Sequence, residues 1–307
     1  MRIIRDLTHL KPIAPGAVTV GTFDGVHLGH QSILQTLKEL GKGCDCLTTI
    51  VTFEPHPRKV LGKNSGGSIE LLTSINEKLA LFRALEIDQV VMIRFTKEFA
   101  SLSAETFVKE ILLDRLAVKE MVIGYDHHFG RNREGTLEKL KELGNKWNFD
   151  VHQVPPLLIK GEVVSSSAIR KLLKEGDIEK ANRFLGRQYC LVGKVVQGDG
   201  RGRKIGFPTA NLQVVDPDKL IPARGVYAVD VWYKNQLYKG MMNIGVRPTF
   251  DHDPLTLEVH IFNFDNLLYG ETLEVRFKKF IRSEQKFKNI EELKKQLEKD
   301  KQICETL

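Results

Sequence analysis

From Ala17 to Gly21 the chain reads Ala-Val-Thr-Val-Gly, a short apolar run that predicts a strand. The stretch "HQSILQTLKELGK" follows and sets Ile33, Leu34, Leu37 and Leu40 on one face of a helix, with Gly41 and Gly43 expected to end it. The β-branched or apolar runs "CLTTIVTF" (46–53), "QVVMIRF" (89–95) and "EMVIG" (120–124) predict further strands. Between them lie the helical patterns "SINEKLALFRALEI" (74–87), "SAETFVKEILLDRL" (103–116) and "TLEKLKELGNKW" (136–147). Ser74 and Glu77 have capping-box spacing, and Ser103 and Thr106 open the second helix in a similar way. Strands alternating with helices imply a parallel sheet covered on both faces. After about Gly186 the pattern changes. "YCLVGKVVQ", "GVYAVDVWYK", "QLYKGMMNIG", "TLEVHIFN" and "ETLEVRFKKFI" are strands at short spacing, which predicts a small all-β barrel. "TLEV" at 256 and again at 272 is expected to mark two strands paired with each other. "NIEELKKQLEKDKQIC" closes the chain as a helix, with Asn289 and Glu292 at capping positions and Ile290, Leu293 and Leu297 on one face. The boundary falls within 183–189, giving domains 1–186 and 187–307.

The chain has 307 residues, enough for two domains with separate cores. Its composition, 42% hydrophobic and 28% charged, is that of an ordinary globular protein. No stretch approaches the ~20 apolar residues of a membrane span, and "MRIIRDLTHLKPIAP" lacks the apolar run of a signal peptide, so a cytoplasmic protein without membrane association is expected. Four cysteines are too few for a disulfide scaffold, and Cys44-x-Cys46 reads as a reduced turn after a helix. The net charge of +7 is spread, +3 up to Gly186 and +4 beyond it. That spread suits an anionic small molecule such as a nucleotide. No Lys/Arg stripe interleaved with aromatics is present, which argues against nucleic acid.

The densest chemistry lies in "GTFDGVHLGH" (21–30). A strand, a tight Gly-rich turn and a helix start follow one another there. Ligands of open α/β sheets bind at the carboxyl ends of strands, and a helix N-terminus offers free N–H groups to a phosphate. Gly21, Gly25 and Gly29 let the backbone approach an anion, and His27 and His30 can hydrogen-bond phosphate oxygens as charge spreads. Ordinary turn histidines are the competing reading. The stretch is neither a Walker A loop nor the zinc motif H-E-x-x-H.

Four other segments carry candidate groups. "TFEPHPRKVL" (52–61) bends at Pro55 and Pro57 and projects His56. "VIGYDHHFGRNREG" (122–135) leaves a strand with Arg131 and Arg133 as possible anion holders. "VVSSSAIRKLLKEGD" (163–177) puts Ser165, Ser166 and Ser167 before a helix, where they can cap it or meet phosphate, with Arg170 near its start. "GDGRGRKIGFPTANL" (198–212) is a basic Gly-rich loop able to fold over a polyphosphate, and Thr209 and Asn211 have oxygens suited to Mg²⁺. Phosphoryl transfer also needs a base for the acceptor hydroxyl. Glu258 and Glu274 both lie on the polar side of a strand, and periodicity does not choose between them.

The first motif resembles the H-x-G-H signature of nucleotidyltransferases. Its longer form resembles the bacterial bifunctional riboflavin kinase/FMN adenylyltransferase (FAD synthetase) family. "TFEPHP", Asp126, Phe129 and Gly130, "SSSAIR", "GFPTAN", "NIGVRPTF" and "LYG" are similar to that family's segments and fall in its order. His127 departs from the family, which commonly has an aromatic ring there. The resemblance implies a Rossmann-like α/β nucleotidyltransferase domain followed by a β-barrel kinase domain with a C-terminal helix. It implies that riboflavin is phosphorylated to FMN with release of ADP, and that FMN is adenylylated to FAD with release of pyrophosphate. ATP is the co-substrate and Mg²⁺ the cofactor. His27 and His30 are the implied catalytic pair for adenylyl transfer, with Gly21, Phe23, Asp24, Gly29, Ser165, Ser166 and Arg170 on ATP and His56, Pro57, Asp126 and Phe129 on the flavin. In the barrel, Glu258 is the implied base. Gly198, Lys204, Gly206, Pro208, Thr209 and Asn211 would hold ATP, Thr209 and Asn211 the metal, and Arg247 and Tyr269 the flavin. Two other readings compete. One is a different adenylyl- or cytidylyltransferase, which the kinase-like half argues against. The other is a flavin- or RNA-binding protein without turnover, which the joint presence of His27, His30, Thr209, Asn211 and Glu258 argues against.

Overall fold

The computed structural model describes residues 1–7, 10, 14–62, 69–131, 134–198, 200–246 and 255–307. Two compact units result, Met1–Ser166 and Ser167–Leu307.

The first unit holds β1 (Arg2–Ile4), β2 (Gly16–Val20), α1 (Leu28–Cys44), β3 (Leu47–Glu54), α2 (Pro57–Leu61), α3 (Ile75–Ala84) and β4 (Gln89–Arg94). Beyond them come α4 (Lys97–Ala100), α5 (Ala104–Phe107), β5 (Val118–Gly124), α6 (Leu137–Trp147), β6 (Asp150–Val154) and the small hairpin β7 (Leu158–Ile159) and β8 (Glu162–Val163). Six strands form one sheet in the order β1-β4-β3-β2-β5-β6, parallel throughout. Alternation along the strands divides the core. Ala17, Ile50, Val90 and Val122 pack with Leu34, Leu37 and Phe82. Val18, Val51, Val91 and Met121 pack with Phe107, Leu112, Leu140 and Leu143. A sheet buried on both faces is the expectation for parallel strands joined by helices. The order reverses between β2 and β5, which places a topological switch point at the carboxyl end of β2.

Several expectations for this unit are corrected. Gly41 does not end its helix, which runs on to Cys44. A Cβ on Gly41 would lie 2.9 Å from Thr48 Cγ2, so the glycine allows the helix to sit close on the sheet. Cys44 and Cys46 form a disulfide in place of the reduced turn, with left-handed Asp45 between them. The helix expected over 103–116 is α-helical only to Phe107 and continues as a π-helix over Val108–Leu113. The alternation rule passed over β1 and β6, which are short edge strands with few apolar positions.

The second unit holds α7 (Ser166–Glu175), α8 (Ile178–Leu185), β9 (Tyr189–Val196), α9 (Arg201–Lys204), β10 (Ala210–Val214), β11 (Gly225–Tyr233), β12 (Gln236–Val246), β13 (Leu255–Ile261), β14 (Thr272–Arg282) and α10 (Ile290–Thr306). The strands close a barrel in the order β10-β13-β12-β11-β14-β9. The two "TLEV" strands are therefore not partners, because β12 and β11 lie between β13 and β14. α8 packs on β9 and β14, and Asn182 donates to the Phe277 carbonyl at 2.8 Å. Helix α10 docks through Asp300, fully buried, which receives three bonds of 2.7–3.0 Å from the Arg282 guanidinium.

Asp300→Ala would leave that guanidinium without its counter-charge and should lower barrel stability by about 3 kcal/mol. Denaturant unfolding followed by Trp232 fluorescence, in a Trp147→Phe background, measures it. An unchanged midpoint would mean that the pair does not fasten α10.

Candidate functional site

The strand-to-helix passage after β2 is the most constrained turn of the first unit. Phe23, Gly25 and Val26 all have positive φ, at 48°, 88° and 39°. For Phe and a β-branched Val this is costly backbone. Hydrogen bonds hold it in place. The Asp24 carboxylate accepts from the Leu72 and Thr73 N–H groups at 3.0 Å and from the Thr73 hydroxyl at 3.2 Å. Gly25 N–H donates to the Thr73 hydroxyl at 2.9 Å, and the Ser166 hydroxyl donates to the Asp24 carbonyl at 2.8 Å. The Lys78 ammonium donates to the Thr22 carbonyl at 2.7 Å. Asp24, expected on ATP, is 2% exposed, and its carboxylate is committed to loop 72–73. Phe23, also expected there, backs the histidines, with its ring 5.1 Å from that of His30.

His27 caps α1, and its Nδ1 accepts from the His30 N–H at 3.3 Å. The two imidazoles stack, with centroids 3.6 Å apart and planes 17° apart. Burial, then the His27 ring and the Lys78 charge, hold His30 well below the usual histidine pKa. His30 is therefore neutral near pH 7. His30 Nδ1 is buried and has no hydrogen-bond partner among the described residues. Gly29 leaves room at the helix start, since a Cβ there would lie 3.2 Å from both His27 Nδ1 and the Val164 carbonyl. The segment before Ser165 thus abuts the histidine turn. Arg170 lies on α7 in the second unit.

The neighbouring strands bring two more expected segments to the same edge. β3 ends at Glu54, and its continuation carries His56, whose Nδ1 accepts from the Arg58 N–H to cap α2, with Pro57 at the first helical position. β5 ends at Gly124, and beyond it Asp126 is exposed while Phe129 packs 5.3 Å from Phe107. Phe53, Phe95, Phe99, Phe107 and Phe129 form an unbroken series of ring contacts from the end of β3 to the loop after β5. No periodicity links these rings, so the sequence does not announce the series. Lys78 did leave a signal. Ile75, Lys78, Leu79 and Phe82 follow helical spacing, so a lysine occupies a core position. Arg133 lies outside the described residues.

In the barrel, Glu258 sits on β13 directly between Asn211 of β10 and Asn243 of β12. Glu274, the alternative, faces Trp232 and receives a 2.6 Å bond from Arg276. Gly198 allows the Asn211 amide its place, because a Cβ there would lie 2.0 Å from Nδ2. Gly202 lies against the same segment, where a Cβ would be 2.2 Å from the Phe207 carbonyl. A cleft opens beside them, lined by Arg203, Pro208, Thr209, Leu267 and Tyr269 among others. Lys204 and Gly206 end the short helix on this loop. Arg247 lies outside the described residues.

A half-buried imidazole at His127 should make the first unit acid-sensitive. Burial, with His128 nearby, lowers the His127 pKa to about 4. The unfolded chain takes up that proton near pH 6.5 and the folded one does not, so stability should fall as pH drops from about 6.5 toward 4. His127→Phe should flatten that slope in unfolding curves followed by Trp147 in a Trp232→Phe background. A slope unchanged by the substitution would remove His127 from the cause.

A family model described as FAD synthetase matches residues 11–168, and one described as riboflavin kinase matches 185–307. A bifunctional riboflavin kinase/FMN adenylyltransferase of Buchnera aphidicola is 42% identical over 99% of this chain and 97% of its own. The Escherichia coli protein of that name is 36% identical over 98% of this chain and 96% of its own. A crystal structure described as a macrolide-efflux protein from Streptococcus pneumoniae superimposes with a TM-score of 0.91 at 31% identity, covering 99% of this chain and 98% of that one. Among the described residues of this chain, no helix is long and apolar enough to cross a membrane. With one model on each half and relatives aligned nearly end to end, the chain belongs to the bifunctional riboflavin kinase/FMN adenylyltransferase family.

Proposed function

We propose that the two reactions run at the two sites described above, with the functional division near Gly186. Family membership makes the chain an ATP-using enzyme of flavin cofactor synthesis. The observation that carries the site assignment is the stacked His27–His30 pair at the start of α1, with a buried ring nitrogen of His30 lacking a partner among the described residues. A nitrogen of that kind calls for a polar ligand, and its place at a helix N-terminus on a topological switch point suits a polyphosphate.

In the barrel, Glu258 accepts the proton of the riboflavin 5′-hydroxyl as that oxygen bonds to the γ-phosphorus of ATP, and ADP leaves. The loop carrying Gly198, Lys204 and Gly206 covers the phosphates, Tyr269 flanks the flavin, and Arg247 is assigned to the flavin on its motif alone. Thr209 and Asn211 offer neutral hard oxygens that fit Mg²⁺, an ion that keeps waters and phosphates as its other ligands. A Mg²⁺ ion held by them would supply positive charge to offset that of the transferring phosphate. In the α/β unit an FMN phosphate oxygen bonds to the α-phosphorus of ATP, and the bond to the β-phosphate oxygen breaks. Pyrophosphate leaves toward His27 and His30, which hydrogen-bond its growing charge. Ser165, Ser166 and Gly29 line the same turn, and Arg170 is assigned to the triphosphate on motif spacing alone. The isoalloxazine lies toward His56, Pro57, Asp126 and Phe129. The dispersed charge suits these small anions better than nucleic acid, and the cytoplasm, where ATP is made and used, is the expected compartment.

His30→Ala should slow FAD formation from FMN by about 10²–10³-fold and spare FMN formation. Glu258→Gln should slow FMN formation by about 10²–10⁴-fold and spare FAD formation from supplied FMN. Chromatographic time courses with riboflavin or FMN, ATP and Mg²⁺ read both. Loss of both activities in either variant would overturn the two-site assignment.

A further inference from the structure

The segment bearing Thr209 and Asn211 has a structural problem at Pro208. β10 pairs with β13 through Asn211 opposite Glu258 and Ala210 opposite Val259. Continuing that register by one position sets Thr209 opposite His260. Pro208 has no N–H with which to extend the ladder. A side chain extends it instead. His260 Nδ1 lies 2.7 Å from the Pro208 carbonyl oxygen. A carbonyl only accepts, so Nδ1 carries the proton.

The ring is fixed as well as bonded. His260 is 8% exposed, and its ring packs edge-on to Phe207 at 5.3 Å and Phe262 at 5.5 Å. Burial lowers its pKa from the usual histidine value, against the opposing pull of the Pro208 carbonyl, so the ring holds a single proton near neutrality. The same strand carries Glu258 two residues earlier, on the same side. The Gly-rich loop presses on the segment from elsewhere, with Gly202 against the Phe207 carbonyl.

We infer that His260 is a positioning residue for the kinase reaction: by donating from Nδ1 to the Pro208 carbonyl it sets Thr209 and Asn211 in register with Glu258, so that the Mg²⁺–ATP ligands and the base are spaced from one strand. This rests on the kinase reading of the barrel. His260 itself touches no reacting atom. Its loss therefore weakens ATP engagement more than it alters the acceptor's proton transfer.

Three substitutions separate this role from simple core filling. Asn places its amide N–H near the Nδ1 position, Gln carries its amide one bond farther out, and Leu fills space without a donor. The KM for Mg²⁺–ATP and kcat are measured for riboflavin phosphorylation, with FAD formation from supplied FMN as an internal control. His260→Leu and His260→Gln should raise that KM about tenfold or more, the cost of one buried hydrogen bond left unmade, with a smaller fall in kcat. His260→Asn should stay within about threefold of the parent, as a retained donor requires. FAD formation should be unchanged in all three. Equal impairment of the Asn and Gln variants would overturn the inference, as would a Leu variant with the parental KM. If the Leu variant does not fold, the Asn–Gln comparison decides. Absence of riboflavin phosphorylation by the unaltered protein would instead overturn the kinase reading.

Discussion

The Asp24 carboxylate is the contact on which the first unit's site depends. Three of the four residues from Phe23 to Val26 sit in left-handed backbone, two of them non-glycine. Such residues cost about 1–2 kcal/mol each and persist only where the surroundings fix them. The bonds from Leu72 and Thr73 to Asp24, with Lys78 on the Thr22 carbonyl, supply that fixing. The consequence is that β2 turns into α1 within seven residues, with His27 itself as the cap. A looser turn would separate the imidazoles from the helix N-terminus whose field they share.

The role proposed for the pair rests on burial rather than on net positive charge. His30 is covered, stacked on another imidazole and close to the Lys78 ammonium, and all three factors disfavour its protonation. A neutral imidazole donates a hydrogen bond without binding an anion as tightly as a fixed cation would. The dispersed +7 of the chain is consistent with this arrangement, since neither half concentrates it. Lys78 adds a fixed charge nearby, but its ammonium is bonded to Thr22, so it acts on the turn and on the histidine equilibrium.

The barrel reaches a comparable arrangement by different means. Its candidate groups lie side by side across strands, Asn211, Glu258 and Asn243 in one row. Cross-strand register therefore sets their spacing, where in the α/β unit a strained turn does so. Glycine serves both sites by letting other groups come close: Gly29 beside His27 and Val164, Gly198 beside Asn211.

Much of this was legible along the chain. Alternating strands and capped helices, then short strands between turn residues, specify the two architectures because period and turn chemistry are local properties. The Ser74–Glu77 capping box formed as its spacing required. The glycine-spaced histidines marked their turn because few turns require that composition. Properties that depend on distant neighbours were not legible. Gly41 looked like a helix stop, yet it permits close packing on Thr48, 7 residues away in sequence and across a sheet interface. The two "TLEV" strands looked like partners, and barrel closure placed two strands between them. The sequence around Asp24 gave no sign of its partners, and N–H groups of a loop 48 residues on meet its carboxylate. Periodicity left Glu258 and Glu274 equivalent; in the fold one lies between two asparagines and the other is paired with Arg276. Local chemistry sets what each residue can do, but long-range packing assigns its partners, because a hydrogen bond or an ion pair is available only to groups that the whole chain brings within about 3–4 Å.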